Sequence, residues 1–327
     1  MARNTNHQLL HKAKKSKSDE FYTQLCDIES ELQYYQNCFE GKVVYCNCDD
    51  PRVSNFFQYF VKNFKKLGLK KLIASCYRED NDADLFNFSK GYFCEVCDND
   101  IDENGNSNIE VIPLNGDGDF RSDECVALLR KSDIVVTNPP FSLFREFVSL
   151  LAKLDKQFLI IGNVNAITYK EIFELIQSNK AWLGINLGRG ISGFIVPEKY
   201  ELYGTEVKTN EKGQKIVSTN NCLWLTNLNH QQRNEDLILT KLYAGNEDKY
   251  PTYENCKGIN VDRTQDIPSD YNGLIGVPIT FLHKYNPEQF EIIKFRKGDD
   301  DKDLRINGKC PYFRILVKNR RPAVSAF

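Results

Sequence analysis

The sequence predicts a doubly wound α/β fold, on three observations. Short apolar runs at Val43–Cys46, Leu72–Cys76, Ile109–Ile112, Asp133–Thr137 and Phe158–Gly162 recur at intervals that leave room for helices. Most of these runs are continuous rather than alternating, as in strands buried on both faces. Several intervening segments carry apolar residues at three- and four-residue spacing, the period of a helix lying on a sheet.

In chain order, Leu25, Ile28, Leu32 and Tyr35 mark an amphipathic helix with Ser18 as its N-cap. The first strand, Val43–Cys46, ends in Asn47-Cys48-Asp49-Asp50-Pro51, and a helix follows in Arg52-Val53-Ser54-Asn55-Phe56-Phe57. The third run leads to Gly118-Asp119-Phe120, and the fourth to Asn138-Pro139-Pro140-Phe141 before a helix over 143–154. After the fifth run come a helix over 170–180 and strands at 181–185 and 222–228, which flank a polar, Gly-containing stretch at about 186–220. Beyond 229 the pattern turns short and irregular, with Pro251, Pro268, Pro278, Pro287 and Pro311, so a boundary is expected between 1–228 and 229–327.

A hydrophobic content of 41% with 27% charged residues fits a soluble globular chain. No window reaches the roughly 18 to 20 unbroken apolar residues of a membrane span, and the N-terminal residues lack a signal peptide's apolar core, so a cytoplasmic protein is expected. The net charge of −2 gives no global attraction to nucleic acid. Basic residues instead cluster locally, at Arg3, Lys12, Lys14, Lys15 and Lys17 and again at Lys309, Arg314, Lys318, Arg320 and Arg321. Eleven cysteines without an export signal are expected to be reduced thiols. The single Cys94-Glu-Val-Cys97, with Cys46 and Cys48 upstream, falls short of the four ligands of a closed zinc site. His7, His11, His230 and His283 lack metal-ligand spacing, so no metal is expected.

In a doubly wound fold ligands bind beyond the C-terminal ends of the strands. Asn138-Pro139-Pro140-Phe141 stands there. The Asn138 side-chain oxygen and the Pro139 carbonyl can both accept from one NH2 group, the prolines fix the direction of the turn, and the Phe141 ring can stack on a planar base. Holding both N–H bonds of an aromatic amine favours the pyramidal nitrogen whose lone pair points at an electrophile. Orientation and preorganised electrostatics carry such a reaction, and no general base has to act first.

These residues resemble the amino-methyltransferases that use S-adenosylmethionine, and within them the adenine-N6 DNA methyltransferases. The resemblance makes the Asn138–Phe141 tetrapeptide catalytic, with Asn138, Pro139 and Phe141 its working residues. It also implies that Phe21, Tyr22 and Thr23 cover the methionine end of the cofactor and that Asp119 and Phe120 read its adenine. Where the family has an acid and a Gly-rich turn, this chain has no Gly between Val43 and Phe64. Asp49 and Asp50 are the carboxylates expected near the cofactor's ammonium group.

Five longer stretches, from Lys15-Ser16-Lys17-Ser18 to Pro278-Ile279-Thr280-Phe281, look like the EcoRI-type subgroup of modification methyltransferases. That implies a monomer that flips an adenine out of double-stranded DNA and methylates it within GAATTC, with a cognate restriction endonuclease as genetic partner. The implied architecture is a Rossmann-like methyltransferase sheet with a C-terminal target-recognition region. Lys12, Lys14 and Lys15 are candidate phosphate contacts, and Arg189, Arg233, Arg263 and Asn260 are candidate groove readers by residue type. The same tetrapeptide also serves enzymes acting on RNA adenine or protein glutamine, and a DNA-binding relative without activity is a third reading.

Overall fold

Most of the expected strands pair into one eight-stranded sheet in the computed structural model, which describes residues 22–78, 90–102, 109–196, 207–210, 213–218, 221–296, 304–309 and 313–323. In chain order the first elements are β1 (Tyr22–Thr23), α1 (Leu25–Leu32), β2 (Val43–Asn47), α2 (Asn55–Lys62), α3 (Phe64–Leu67), β3 (Lys71–Cys76), β4 (Tyr92–Val96) and β5 (Ile112–Pro113). Then come α4 (Asp123–Lys131), β6 (Ile134–Thr137), α5 (Phe144–Lys153), β7 (Gln157–Asn163), α6 (Lys170–Gln177), β8 (Trp182–Leu187), β9 (Phe194–Ile195), β10 (Val207–Thr209), β11 (Lys215–Val217) and β12 (Cys222–Thr226). The large sheet runs β5-β4-β3-β2-β6-β7-β12-β8.

The inner strands β3, β2, β6 and β7 are parallel, whereas β4, β5 and β12 join antiparallel. The doubly wound α/β class therefore holds, with a mixed rather than a parallel sheet. From β2 the chain steps one way to β3, and from β6 the other way to β7. The C-terminal ends of β2 and β6 thus flank the topological switch point, where open α/β sheets bind ligands.

Two elements differ from the sequence reading. The run at Ile109–Ile112 supplies only the two-residue β5, and the strand beside β3 is Tyr92–Val96. Its residues alternate between buried and half-buried, so it lacks the continuous apolar signature of its neighbours, and its cysteines read as a CxxC instead. The N-terminal helix starts at Leu25, because Tyr22 and Thr23 are drawn into a second, small sheet, β1-β9-β11-β10. Ser18 lies outside the described residues.

Helix α1 is held by buried carboxylates. Glu31 accepts hydrogen bonds from the backbone N–H groups of Ile185 and Asn186 at 2.8 Å, from Asn186 Nδ2 at 2.9 Å and from the Tyr35 hydroxyl at 2.9 Å. One turn earlier Asp27 accepts from Ser192 N at 3.0 Å and Ser192 Oγ at 2.9 Å. Burial pushes both carboxyl pKa values up against these bonds. On the same side of the sheet the buried rings of Phe56 and Trp224 meet edge to face at 5.9 Å.

The contacts divide the chain into Met1–Ile172 with Gly184–Leu228, and Phe173–Leu183 with Asn229–Phe327. The second unit has its own sheet of β13 (Gly258–Asn260), β14 (Leu274–Pro278), β15 (Phe290–Arg296) and β16 (Arg314–Asn319), in the order β13-β14-β16-β15. Ile275, Val277, Phe281, Phe290, Ile315 and Val317 are buried within it. Among the described residues no helix is long and apolar enough to cross a membrane.

Glu31→Ala strands two backbone donors and a tyrosine hydroxyl, each formerly paired with a buried charge. The expected cost is about 3 kcal/mol or more of unfolding free energy, read from urea denaturation, with Glu31→Gln losing less because its oxygen still accepts.

Candidate active site

The turn after β2 makes its sharp bend without glycine. Cys48 sits in the left-handed region at φ +69°, a conformation costing an ordinary side chain about 1 to 2 kcal/mol. The bend delivers Asp49 into the protein. Its backbone N–H donates to Ser75 O at the end of β3 at 3.0 Å, its side chain accepts from Ser54 Oγ at 2.7 Å, and its Oδ2 is within hydrogen-bonding distance of Thr137 Oγ1 at 2.6 Å. Ser54 is also the N-cap of α2, accepting from the N–H groups of Phe56 and Phe57. Burial pushes the Asp49 pKa up to about 7, with the Thr137 and Ser54 hydroxyls pulling the other way.

Thr137, the last residue of β6, also donates to Asn47 O at the end of β2. It stands directly before Asn138-Pro139-Pro140-Phe141, so one buried hydroxyl ties the tetrapeptide to the turn carrying Asp49. Phe141 opens a short 3-10 turn and meets Phe194 of β9 edge to face, with centroids 5.8 Å apart and an interplanar angle of 83°. Phe194 pairs across the small sheet with Thr23, whose carbonyl accepts from Asn55 Nδ2 at the start of α2 at 2.8 Å. Tyr22 and Thr23, Asp49, and Asn138 to Phe141 are therefore linked around the ends of β2 and β6.

The Gly118-Asp119-Phe120 segment reaches the end of β3. At Gly118, with φ +84°, a Cβ would lie 2.3 Å from the Cys76 carbonyl oxygen, so only glycine permits this approach. Asp119 is held by Arg121, with Nη2 to Oδ2 at 2.6 Å and Nε to Oδ1 at 2.9 Å, and this pairing keeps its carboxyl below the usual range. Oδ1 also accepts from the Arg121 backbone N–H at 2.8 Å, so Oδ2 is the oxygen that retains a lone pair for a further donor. Phe120 is buried, edge to face with Phe147 at 5.1 Å. Asp50 is taken up in an ion pair with Arg52 at 3.2 Å and with Arg78 at 3.6 Å, both guanidiniums lying over the Tyr92 ring. Of the two turn carboxylates, Asp49 is the one without a cationic partner among the described residues.

Phe21, Lys12, Lys14, Lys15 and the side chain of Arg189 lie outside the described residues. Arg233 stacks on the Trp182 ring at 3.7 Å and donates to Asn179 Oδ1 at 3.2 Å. Asn260 is buried and accepts from Tyr253 and Arg314, whereas Arg263 is exposed. In the C-terminal basic run, Arg314 pairs with Asp262 and Arg321 with Asp236.

The family profile described as "Adenine-specific methyltransferase EcoRI" matches residues 9–320. The chain belongs to this family. It is 65% identical to Type II methyltransferase M.EcoRI of Escherichia coli, over 98% of this chain and 99% of that one. It is 37% identical to Type II methyltransferase M.MgeORF184P of Mycoplasma genitalium (95% and 98% covered) and 38% to Type II methyltransferase M.MpnI of Mycoplasma pneumoniae (96% and 99%). No solved structure matches. Membership in the EcoRI adenine-specific methyltransferase family makes the chain an enzyme and puts its acceptor on adenine, which sets aside the glutamine-amide reading.

Within this EcoRI-family site, sequence reasoning missed Thr137, Ser54, Asn55 and Phe194. Ser54 carried a signal as an N-cap type before an apolar helix, and Thr137 as the one hydroxyl closing an apolar run. Asn55 and Phe194 carried none, because their partners are distant in sequence. Cys48→Val, β-branched and stiff, is expected to cost about 1 to 3 kcal/mol, while Cys48→Gly stays within about 1 kcal/mol of the parent. Thermal unfolding of the two variants checks this order.

Proposed function

We propose that this chain transfers a methyl group from S-adenosylmethionine to N6 of an adenine flipped out of duplex DNA within GAATTC. In this reading it acts as a monomer in the cytoplasm and protects DNA from a cognate restriction endonuclease. The observation carrying it is the tie through Thr137 between Asn138-Pro139-Pro140-Phe141 and Asp49 at the switch point. The GAATTC assignment rests on 65% identity along nearly the whole of M.EcoRI, and the unit containing 229–327 is assigned to target recognition.

The residues present fit the cofactor. Among the described residues Thr23 Oγ1 and Asn47 Nδ2 are buried polar atoms with no hydrogen-bond partner in the protein, and buried polar groups are ordinarily satisfied. Asn47 stands two residues before Asp49, the carboxylate suited to an ammonium group, the Thr23 carbonyl is bonded by Asn55 next to the Ser54 that holds Asp49, and Asp119 offers an acceptor at the end of β3. When bound, S-adenosylmethionine supplies an electrophilic methyl carbon on a sulfonium.

The protein's own part is orientation. Asn138 Oδ1 and the Pro139 carbonyl accept the two N–H bonds of the target amine, and Phe141, braced by the edge of Phe194, stacks on the base. Stacking offsets part of the few kcal/mol needed to extrude the base, with phosphate contacts from Lys12, Lys14 and Lys15 supplying sequence-independent affinity. Nearby thiols do not compete for the methyl group. Burial pushes Cys48 up and Cys76 to about 12, so both stay neutral, and the thiolate is the nucleophilic form.

Labelled S-adenosylmethionine incubated with a GAATTC duplex, a scrambled duplex and an RNA of matched sequence tests the reading. N6-methyladenine in the first alone is expected; methylation of the scrambled duplex to the same extent removes the site, and methylation of RNA alone removes the DNA assignment. Asn138→Ala is expected to lower kcat about 100- to 1,000-fold while cofactor affinity by calorimetry changes only a few-fold.

A further inference from the structure

The contacts around Thr137 set a single hydroxyl proton between two acceptor oxygens if Asp49 is ionised. Thr137 Oγ1, fully buried, is within hydrogen-bonding distance of two oxygens, the Asn47 carbonyl and Asp49 Oδ2 at 2.6 Å. A threonine hydroxyl carries a single proton, and a backbone carbonyl can only accept. Against an ionised Asp49 the one Thr137 proton has to be shared between two acceptors in a weaker three-centre bond. With Asp49 as a carboxylic acid each link is a full bond, Asp49 donating to Thr137 while Thr137 donates to Asn47. The other carboxyl oxygen, Oδ1, is already supplied by Ser54 Oγ at 2.7 Å.

We propose that Asp49 is a protonated carboxylic acid in the cofactor-free enzyme and that it loses this proton to solvent when the ammonium group of the methyl donor arrives. This rests on the cofactor reading above and adds a stoichiometry to it: one O–H bond of the carboxyl breaks, the proton leaves to buffer, and the ligand's ammonium keeps its own. The surroundings agree from every side. Asp50, on the same turn, opposes a second negative charge and is itself occupied by Arg52 and Arg78. Cys46 from β2, buried, and Cys48 from the turn, half-buried, are thiols held neutral. Ser54 from the start of α2, Ser75 O from β3 and Thr137 from β6 are uncharged. Asp119 is already neutralised by Arg121. The burial that pushes the Asp49 pKa to about 7 acts in the same direction.

The sign follows. A carboxyl with its pKa near 7 in the free enzyme and ionised in the complex makes ligand binding weaken as pH falls. From pH 6.5 to 5.5 the affinity drops about eightfold, and about 0.9 proton is released per ligand at pH 6. The ligand's own α-amino group, near 8, is fully protonated in this window and adds nothing.

Calorimetric titration of the full-length enzyme at pH 6, in two buffers of different ionisation enthalpy, measures the proton count. S-adenosylhomocysteine and S-adenosylmethionine are expected to release nearly one proton each, and 5′-methylthioadenosine, which lacks the ammonium group, none. Binding of S-adenosylmethionine without proton release overturns the inference but leaves the cofactor reading standing; no binding at all overturns the cofactor reading. Equal release with methylthioadenosine also overturns it, because the ammonium group is then not the cause. Asp49→Asn, whose amide imitates the protonated carboxyl, attributes the proton. It is expected to abolish release and to gain stability over the parent as pH rises from 5 to 8, since the parent alone pays for ionising a buried acid. If the variant does not fold, infrared difference spectra of the parent decide: loss of a protonated-carboxyl band on adding S-adenosylhomocysteine is expected, and its absence overturns the inference.

Discussion

A single hydroxyl at the end of an apolar strand organises the working end of this protein. Thr137 spans the gap between the two strands that diverge at the switch point, touching Asn47 on one and standing next to Asn138 on the other. It gives the turn that carries Asp49 a direct polar connection to the residue before Asn138-Pro139-Pro140-Phe141. The sheet supplies the rigidity, since β2, β6 and β7 are buried nearly throughout. Only where those strands end do polar side chains enter the interior, and there they bond mainly to each other.

The same economy explains how a methyltransferase sheet dispenses with its glycines at this turn. Glycine usually serves where the backbone must take a positive φ or let a ligand approach. Here Cys48 accepts the left-handed conformation, and the cost is offset locally by the bonds of Asp49 to Ser75, Ser54 and Thr137. Where backbone actually touches backbone, glycine is retained: Gly118 against Cys76 leaves no room for a Cβ. Strain alone is tolerated, while steric exclusion is not.

Much of this was legible in the sequence because burial on both faces writes itself as an unbroken apolar run, and because Asn138-Pro139-Pro140-Phe141 is distinctive on its own. Tyr92–Val96 escaped because a strand joined antiparallel near the sheet edge alternates, and alternation over five residues that include two other chemical signals is easily read otherwise. Phe194 and Asn55 escaped for a different reason. Their roles exist only through partners 53 and 32 positions away, and no local pattern encodes such a meeting. The start of α1 was misplaced for the same cause: pairing of Tyr22 and Thr23 with β9 overrides a local helical preference.

The distribution of charge around the site matches what amine methylation demands. In the proposed reaction a general base near the target nitrogen is not needed, because neutral acceptors hold both of its N–H bonds, and the described groups at the tetrapeptide include a proline carbonyl, a threonine hydroxyl and aromatic rings. Charged groups beside it are spoken for: Asp50 by two arginines, Asp119 by Arg121, Glu31 and Asp27 by backbone donors of the segment that leads to Phe194. Asp49 is buried without a cation and, unlike Glu31 and Asp27, receives no backbone donor at its carboxyl among the described bonds, so burial favours its neutral form until a cation comes. The carboxyl in the turn after β2 is thereby made receptive to a cationic ligand, at the switch point where the chain steps from β2 one way and from β6 the other.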